Sequence, residues 1–121
     1  NLFWGLTMSK VLKGFVEGPT GVKIIRDADS KLDYIVDLAE WLSGDTLSAV
    51  SYEVSGATVN SCTINVAPLS IADYGTINVG TAVITWLQGG ATGVNGHLRL
   101  HVTTVAGRED DFTYQLVTRP G

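Results

Sequence analysis

Two alternating runs near the end of the chain constrain the fold more than any other feature of the sequence. Residues 97–104 and 112–117 alternate apolar with polar side chains, so every second residue points to the same face. Between the runs, Ala106 to Asp110 supplies a glycine and a group of charges, which suit a turn in water. The pattern predicts a β-hairpin with one buried face. The apolar residues of that face are Leu98, Leu100, Val102, Phe112, Tyr114 and Leu116.

The rest of the chain has a similar β pattern. Val22 to Arg26 could add a short edge strand, and Leu69 to Gly80 could be a long loop or a small extra hairpin. About seven short strands, separated by turns every eight to twelve residues, are typical of an antiparallel β-sandwich. We therefore predict an all-β, immunoglobulin-like antiparallel β-sandwich, with Trp41 closing one end of its core. The other predicted strands are residues 31–38, 47–54, 57–66 and 81–87.

Size and composition are those of one globular domain. The chain has 121 residues, of which 45% are hydrophobic and 17% charged, so we expect a packed core. The formal charge is -4 and Lys and Arg are not clustered, which argues against a nucleic-acid partner. The sequence contains no run of about twenty apolar residues, so no membrane-spanning helix is predicted and no membrane partner is expected.

Cys62 is the single cysteine of the sequence, so no internal disulfide can form. The stability of the folded protein must therefore come from packing. Because Cys62 lies in an alternating run, we interpret it as a small buried side chain and not as a nucleophile. The first residues lack the arrangement of a secretory signal, and we expect synthesis in a reducing cytoplasm.

The first sixteen residues are rich in apolar side chains. These recur at spacings of three and four, which fits an amphipathic helix, but Gly5 and Gly14 weaken a helix and leave an extended arm as the alternative. So much apolar surface is unfavourable in water, so the segment either covers the chain's own sheet or docks on a neighbouring subunit. The division that we predict is an N-terminal docking arm, residues 1–26, and a sandwich, residues 27–121. The arm residues expected to bind a partner are Phe3, Trp4, Leu6, Val11, Leu12 and Phe15.

No group of residues has the spacing of a catalytic or metal site. His97 and His101 share a strand face but lie about 13 Å apart, too far to bind one metal ion. The acidic residues between positions 27 and 37, and those of the hairpin turn, lack the spacing of a calcium loop. The glycine-rich stretch 89–93 lacks the lysine of a phosphate loop. We predict no catalytic residue, no metal site and no cofactor.

The densest cluster of charges is at the hairpin tip. Arg108, Glu109 and Asp110 are either merely solvated, as in most turns of this kind, or form a contact with another subunit. These three residues are the second candidate for a partner-binding site.

Five short stretches form an informative ordered set. They are Asp33 to Leu38 (DYIVDL), Trp41-Leu42, Gly44 to Leu47 (GDTL), Trp86 to Gly90 (WLQGG) and Thr103 to Asp111 (TTVAGREDD). Together they resemble small virion structural proteins of tailed bacteriophages, of the fiber-tail adaptor kind, over roughly residues 27–117. The chain departs from that family in its longer apolar arm and in an apparent insertion, Leu69 to Gly80. Tyr52 stands where the family has a tryptophan, which implies an aromatic core position.

The resemblance implies a non-enzymatic structural protein of the phage virion, assembled in the cytoplasm of the bacterial host. It would be present in many copies at the neck or tail and bridge tail components to fibers. The implied partners are other virion proteins, namely portal, tail or neck ring subunits and the tail fiber, with copies of the chain itself in a homo-oligomeric ring. Two alternatives remain open. One is a decoration (cement) protein of the capsid, and the other is a carbohydrate-binding module for host attachment.

Overall fold

A computed structural model describes the backbone of residues 10–11, 15–18, 21–27, 31–72, 74–90 and 95–119. Side chains are described for residues 31–72, 74–90 and 96–117. Within these ranges the chain forms eleven strands and one short helix. The elements are β1 (Lys10–Val11), β2 (Phe15–Gly18), β3 (Gly21–Asp27), β4 (Lys31–Asp37), α1 (Ala39–Leu42), β5 (Leu47–Ser55), β6 (Thr58–Ile64), β7 (Leu69–Ile71), β8 (Gly75–Ile77), β9 (Ala82–Gln88), β10 (Asn95–Thr104) and β11 (Glu109–Arg119).

Two sheets enclose the core, and a small third sheet covers part of one outer face. The strand orders are β1-β4-β9-β6 in the first sheet, β2-β3-β11-β10-β5 in the second and β7-β8 in the third. The pairing of β3 with β11 is parallel, and the other described pairings are antiparallel. The prediction of an all-β sandwich is confirmed. Its immunoglobulin-like character stays a prediction.

The predicted hairpin is formed by β10 and β11, with Leu100 opposite Phe112 in register. Its apolar face packs into the core between the sheets, where Phe112 is partly buried and the other five predicted residues are fully or almost fully buried. The facing sheet contributes Val36 and Leu87, and α1 contributes Leu42. The alternation therefore predicted the buried face of this hairpin correctly, because a strand with one buried face must keep a period of two.

Strand β9 has apolar side chains on both faces. Its core face holds Val83 and Leu87, while Ala82 and Ile84 point to the other side, where the β7-β8 hairpin packs on them. Trp86 follows on that outer face and is partly exposed. The stretch from residue 69 to residue 80 therefore contains a small hairpin, one of the two alternatives predicted for it, and this hairpin shields an apolar face that would otherwise contact water.

Two details differ from the expectations. Tyr52 lies opposite Leu100 in register but is about half exposed, because β5 is the edge strand of its sheet. The expectation of an aromatic core position for Tyr52 is therefore wrong. Strand β3 contains the predicted short strand from Val22 to Arg26, but it lies between β2 and β11 and is not an edge strand.

The N-terminal segment is extended wherever the structure describes it. In β1, Lys10 pairs with Asp37 of β4, and β2 pairs with β3. Of the six arm residues predicted to bind a partner, Val11 and Phe15 lie in these two strands. The other four, Phe3, Trp4, Leu6 and Leu12, lie outside the described residues. The division between residues 26 and 27, and the partner-binding role of the arm, stay predictions.

Candidate functional site

Arg108 fixes the hairpin tip to helix α1. Its Nη2 donates to the carbonyl oxygens of Leu42, at 2.9 Å, and Trp41, at 3.2 Å. Its Cζ lies 4.5 Å from the centre of the Trp41 ring. A planar guanidinium can stack on an aromatic ring and donate to the carbonyls at the end of a helix at the same time. This contact joins residues that are far apart in the sequence.

Asp45 strengthens the same contact from the turn before β5. Its Oδ1 accepts a hydrogen bond from the backbone N–H of Thr46 at 2.8 Å, and its Oδ2 lies 3.6 Å from Nε of Arg108. Hydrogen bonding to the Thr104 side chain lowers the pKa of Asp45, against the opposing effect of burial, and Arg108 acts in the same direction. The carboxylate therefore stays ionised and holds this turn to the hairpin tip.

We expect the Arg108→Lys variant to lose about 1 kcal/mol of unfolding free energy, since lysine keeps the charge but cannot stack and donate to two carbonyls together. Urea denaturation measures this loss. Arg99→Lys is the matched control, because Arg99 forms an exposed ion pair with Glu53 and should change the stability by less than about 0.5 kcal/mol. Equal losses in the two variants would contradict a special role for the Arg108 geometry.

Ion pairs occupy the outer face of β10, β11 and β5. His101 lies between two carboxylates, with Nδ1 at 2.6 Å from Asp111 and Nε2 at 2.9 Å from Glu109. Arg99 pairs with Glu53 at 2.5 Å. The side chains bind one another and are open to water, so the surface has the character of a solvated polar face. An open depression of about 350 Å³ on this face is lined by Ser51, Tyr52, Glu53, Arg99, His101 and Asp111.

His101 gives this face a predictable pH dependence. Its hydrogen bonds to Asp111 and then to Glu109 raise the pKa of His101 above 6.5. The stabilisation is therefore complete below the unfolded-state pKa and is lost as the pH rises through the higher folded-state pKa. We expect His101→Gln to abolish this loss, as measured by unfolding at about pH 5.5 and about pH 8.5. An NMR titration that gives an unshifted pKa for His101 would contradict the expectation.

The other residues considered for chemistry lie apart. The His97 Nδ1 contacts the Ser55 hydroxyl at 3.1 Å and has no shared site with His101. In the part of the chain whose side chains are described, no three His, Cys, Asp or Glu residues are placed to hold a metal ion. Cys62 is half-buried, and burial raises the pKa of its thiol, which disfavours the reactive thiolate.

Asn65 is an important residue that the sequence did not reveal. Its Nδ2 donates to the carbonyl oxygens of Ala67 and Asn78, and its Oδ1 accepts from the N–H groups of Thr81 and Ala82, all at 2.9 to 3.1 Å. The side chain is almost fully buried. One amide thus joins the loop after β6 to the loop before β9. No local sequence signal distinguishes it from an ordinary loop asparagine.

Four loops meet at the end of the sandwich that carries the hairpin tip. Backbone hydrogen bonds link Val105 to Thr46, Leu47 to Gly80, and Gly80 to Asn65, at 2.8 to 3.0 Å. Three valines on these loops are exposed. We call them the hairpin-end surface: Val66, 92% exposed, Val79, 48% exposed, and Val105, 70% exposed.

A family profile matches residues 26–117, which is more than two thirds of the chain. The family is described as "Podophage GP4 fiber-tail adaptor protein gp77". The chain belongs to this family of phage fiber-tail adaptor proteins. The matched region contains β10, most of β11 and the Arg108 contact with α1. The resemblance found in the sequence is therefore confirmed. The family supports a structural role in the phage tail, a place in the virion, and binding to other virion proteins such as the tail fiber.

No curated protein matches the chain significantly. The NMR structure of a protein from Bacteroides thetaiotaomicron is 12% identical, covers 89% of this chain and 82% of that chain, and has a TM-score of 0.37. That similarity is too low to support a statement about fold or function. Within the described residues, no helix has the length and apolar character needed to cross a bilayer.

The hairpin tip stays a candidate contact. Arg108, Glu109 and Asp110 all have partners within the chain, namely α1, His101 and the backbone N–H of Asp111. These contacts position the three side chains, and Glu109 and Asp110 remain exposed. Their role in binding another subunit stays a prediction.

Proposed function

We propose that this fiber-tail adaptor is a non-enzymatic virion protein present in many copies at the neck or tail, where it bridges tail components to fibers. The family match over residues 26–117 carries the proposal. The proposed partners are portal, tail or neck ring subunits, the tail fiber, and further copies of the chain in a ring. The role requires a rigid body with separate contact surfaces, and no chemical step.

The packing of the sandwich supports a rigid spacer. The two sheets bury a continuous core, and such interiors are close-packed and resist deformation. At one end, Arg108 and Asn65 tie the loops to the body through hydrogen bonds to backbone atoms. An adaptor of this kind would hold a fiber at a fixed position relative to the tail, because the described part of the chain would act as a rigid body without an internal hinge.

The sheet edges offer one type of contact surface. Strand β5 is an edge of one sheet and β6 an edge of the other, and the two follow each other through a turn at Gly56. Edge strands have unpaired backbone groups that can bind an extended segment of a partner. Because a short turn joins β5 to β6, both edges lie on the same side of the sandwich, where one partner could contact them.

Imaging of the virion tests the proposal. A cryo-electron microscopy map of the particle should place the chain between tail and fiber density, and particles assembled without it should lack fibers. Complementation with the full chain is the control and should restore fibers. A copy number and position that match the capsid subunits would favour the cement protein instead, and absence of the chain from the particle would contradict the proposal.

A glycan array tests the carbohydrate-binding alternative. Trp41 packs edge-to-face on Phe112, with ring centres 5.3 Å apart, while Trp86 lies on the outer face of β9. These two tryptophans do not form a shared flat platform for a sugar, so we expect no glycan binding through them. Binding that disappears in Trp86→Ala would support the attachment module.

A further inference from the structure

We propose that residues 1–9 of one copy dock on the hairpin-end surface of a second copy. The inference rests on the proposed function, because it needs neighbouring copies in one assembly, and it adds the surface that receives the arm. The acceptor is formed by Val66, Val79 and Val105.

The acceptor surface combines exposure with rigidity. Single exposed valines are common on protein surfaces and require no explanation. Here Val66, Val79 and Val105 lie on loops that are joined by backbone hydrogen bonds, and the buried Asn65 amide holds two of these loops. A surface whose loops are already fixed loses little conformational entropy when a partner binds. The surface is therefore suited to receive an apolar segment.

The donor segment has a matching composition. Residues 1–9 contain no charged side chain. Burying such a segment against valines carries no cost for desolvating charges. Its large apolar residues are Leu2, Phe3, Trp4, Leu6 and Met8.

The donor enters the fold at the same end as the acceptor. Lys10, the first residue of β1, pairs with Asp37, where β4 ends and the chain passes through Leu38 to α1. The N–H of Leu38 in turn binds the carbonyl of Thr81, next to the Gly80 turn. The segment that precedes Lys10 therefore starts beside the loops that carry the hairpin-end surface.

This placement suits copies that stand side by side in one orientation. Nine extended residues span up to about 30 Å, comparable with the roughly 35 Å diameter expected for a compact domain of this length. Each copy can give its segment to one neighbour and receive a segment from the other. Such a head-to-tail contact closes into a ring when the rotation between copies allows it.

Two variants of the full purified chain separate donor from acceptor. The first lacks residues 1–9, and the second carries Val66→Ser, Val79→Ser and Val105→Ser. We expect the unmodified chain to form oligomers and each variant alone to be monomeric by light scattering. An equimolar mixture of the variants should form a one-to-one complex, because one supplies the segment and the other the surface.

Leu32→Ser is the matched control, since Leu32 is 50% exposed at the opposite end of β4 and should not affect assembly. Circular dichroism and thermal unfolding verify that each variant is folded. The complex should persist in about 1 M salt, where the Debye length is about 3 Å, because the contact is apolar. Dissociation by salt would assign the contact to the charged hairpin tip and overturn the proposal.

Three further results would also overturn the proposal. The unmodified chain could be monomeric, or the triple valine variant could assemble normally. The mixture could also stay as two monomers, which would mean that the segment covers its own chain. The assay uses the isolated chain, so its result does not depend on where the virion holds the protein. Absence from the virion would contradict the proposed function and leave this result intact.

Discussion

Replacing Gly96 with alanine should lower the unfolding free energy by about 3 kcal/mol or more. A Cβ atom at Gly96 would overlap the carbonyl oxygen of Ser55 and lie 2.6 Å from its carbonyl carbon. Both are backbone atoms of β5, so no side-chain rotation can relieve the contact. Strand β10 would have to move away from β5, which weakens the pairing of these strands. Thermal unfolding should show a decrease of roughly 12 °C in the melting temperature.

Gly107→Ala is the control for Gly96→Ala. Gly107 has a φ of +94°, but a Cβ atom there meets no atom within 4 Å. This variant should therefore lower the unfolding free energy by only about 1 kcal/mol. That loss comes from the positive φ alone, because the added methyl group overlaps no other atom. If Gly96→Ala is no more destabilising than Gly107→Ala, the close approach of β10 to β5 is not as tight as described.

Replacing Asn65 with alanine should lower the unfolding free energy by about 3 kcal/mol, because four backbone groups lose their partner at once, two of them in buried and two in partly buried hydrogen bonds. The variant should also destabilise the structure locally, around the backbone groups that bind the Asn65 side chain. The N–H groups of Thr81 and Ala82, which donate to the Asn65 side chain, should exchange with solvent faster. The amide of Leu98 in the core should change only in proportion to the global stability. Chemical denaturation and native-state hydrogen exchange measure the two effects.

Asn78→Ala provides the matched control for Asn65→Ala. Asn78 is exposed, and its backbone carbonyl, not its side chain, accepts the hydrogen bond from Asn65. The variant removes the same type of side chain and should change the stability by less than about 0.5 kcal/mol. Asn65→Asp refines the result, since a carboxylate keeps the acceptor for Thr81 and Ala82 but cannot donate to the two carbonyls. In Asn65→Asp, the protection of the Thr81 and Ala82 amides against exchange should be higher than in Asn65→Ala and lower than in the unmodified chain.

The hairpin could be predicted from the sequence because its information is local. A strand with one buried face must alternate, and a shift of one residue would expose every core side chain, so the pattern in residues 97–104 and 112–117 defines both strands. The β9 run is less informative. It is apolar on both faces, because the β7-β8 hairpin covers its outer side, and the period of two disappears from the sequence.

The remaining features depend on residues that are far apart along the chain. Gly96 is required because β5 passes close to it, and Asn65 because two loops meet there, yet both have ordinary sequence neighbours. The charge of Arg108 was visible in the sequence, but its two acceptor carbonyls in α1 were not. The composition of the sequence can thus predict which residues are candidates for a contact. The contacts that these residues make can be described only from the tertiary fold.

The parallel pairing of β3 with β11 has a mechanical consequence. Five positions pair in this register, from Lys23 with Gln115 to Asp27 with Arg119. When the N-terminal end of β3 and the C-terminal end of β11 are pulled in opposite directions, the two strands slide along each other and all their hydrogen bonds are stretched together. Bonds stretched together break only at a higher force than bonds that open one after another. We therefore expect the β3-β11 pair to withstand tension that is applied directly to these two strand ends.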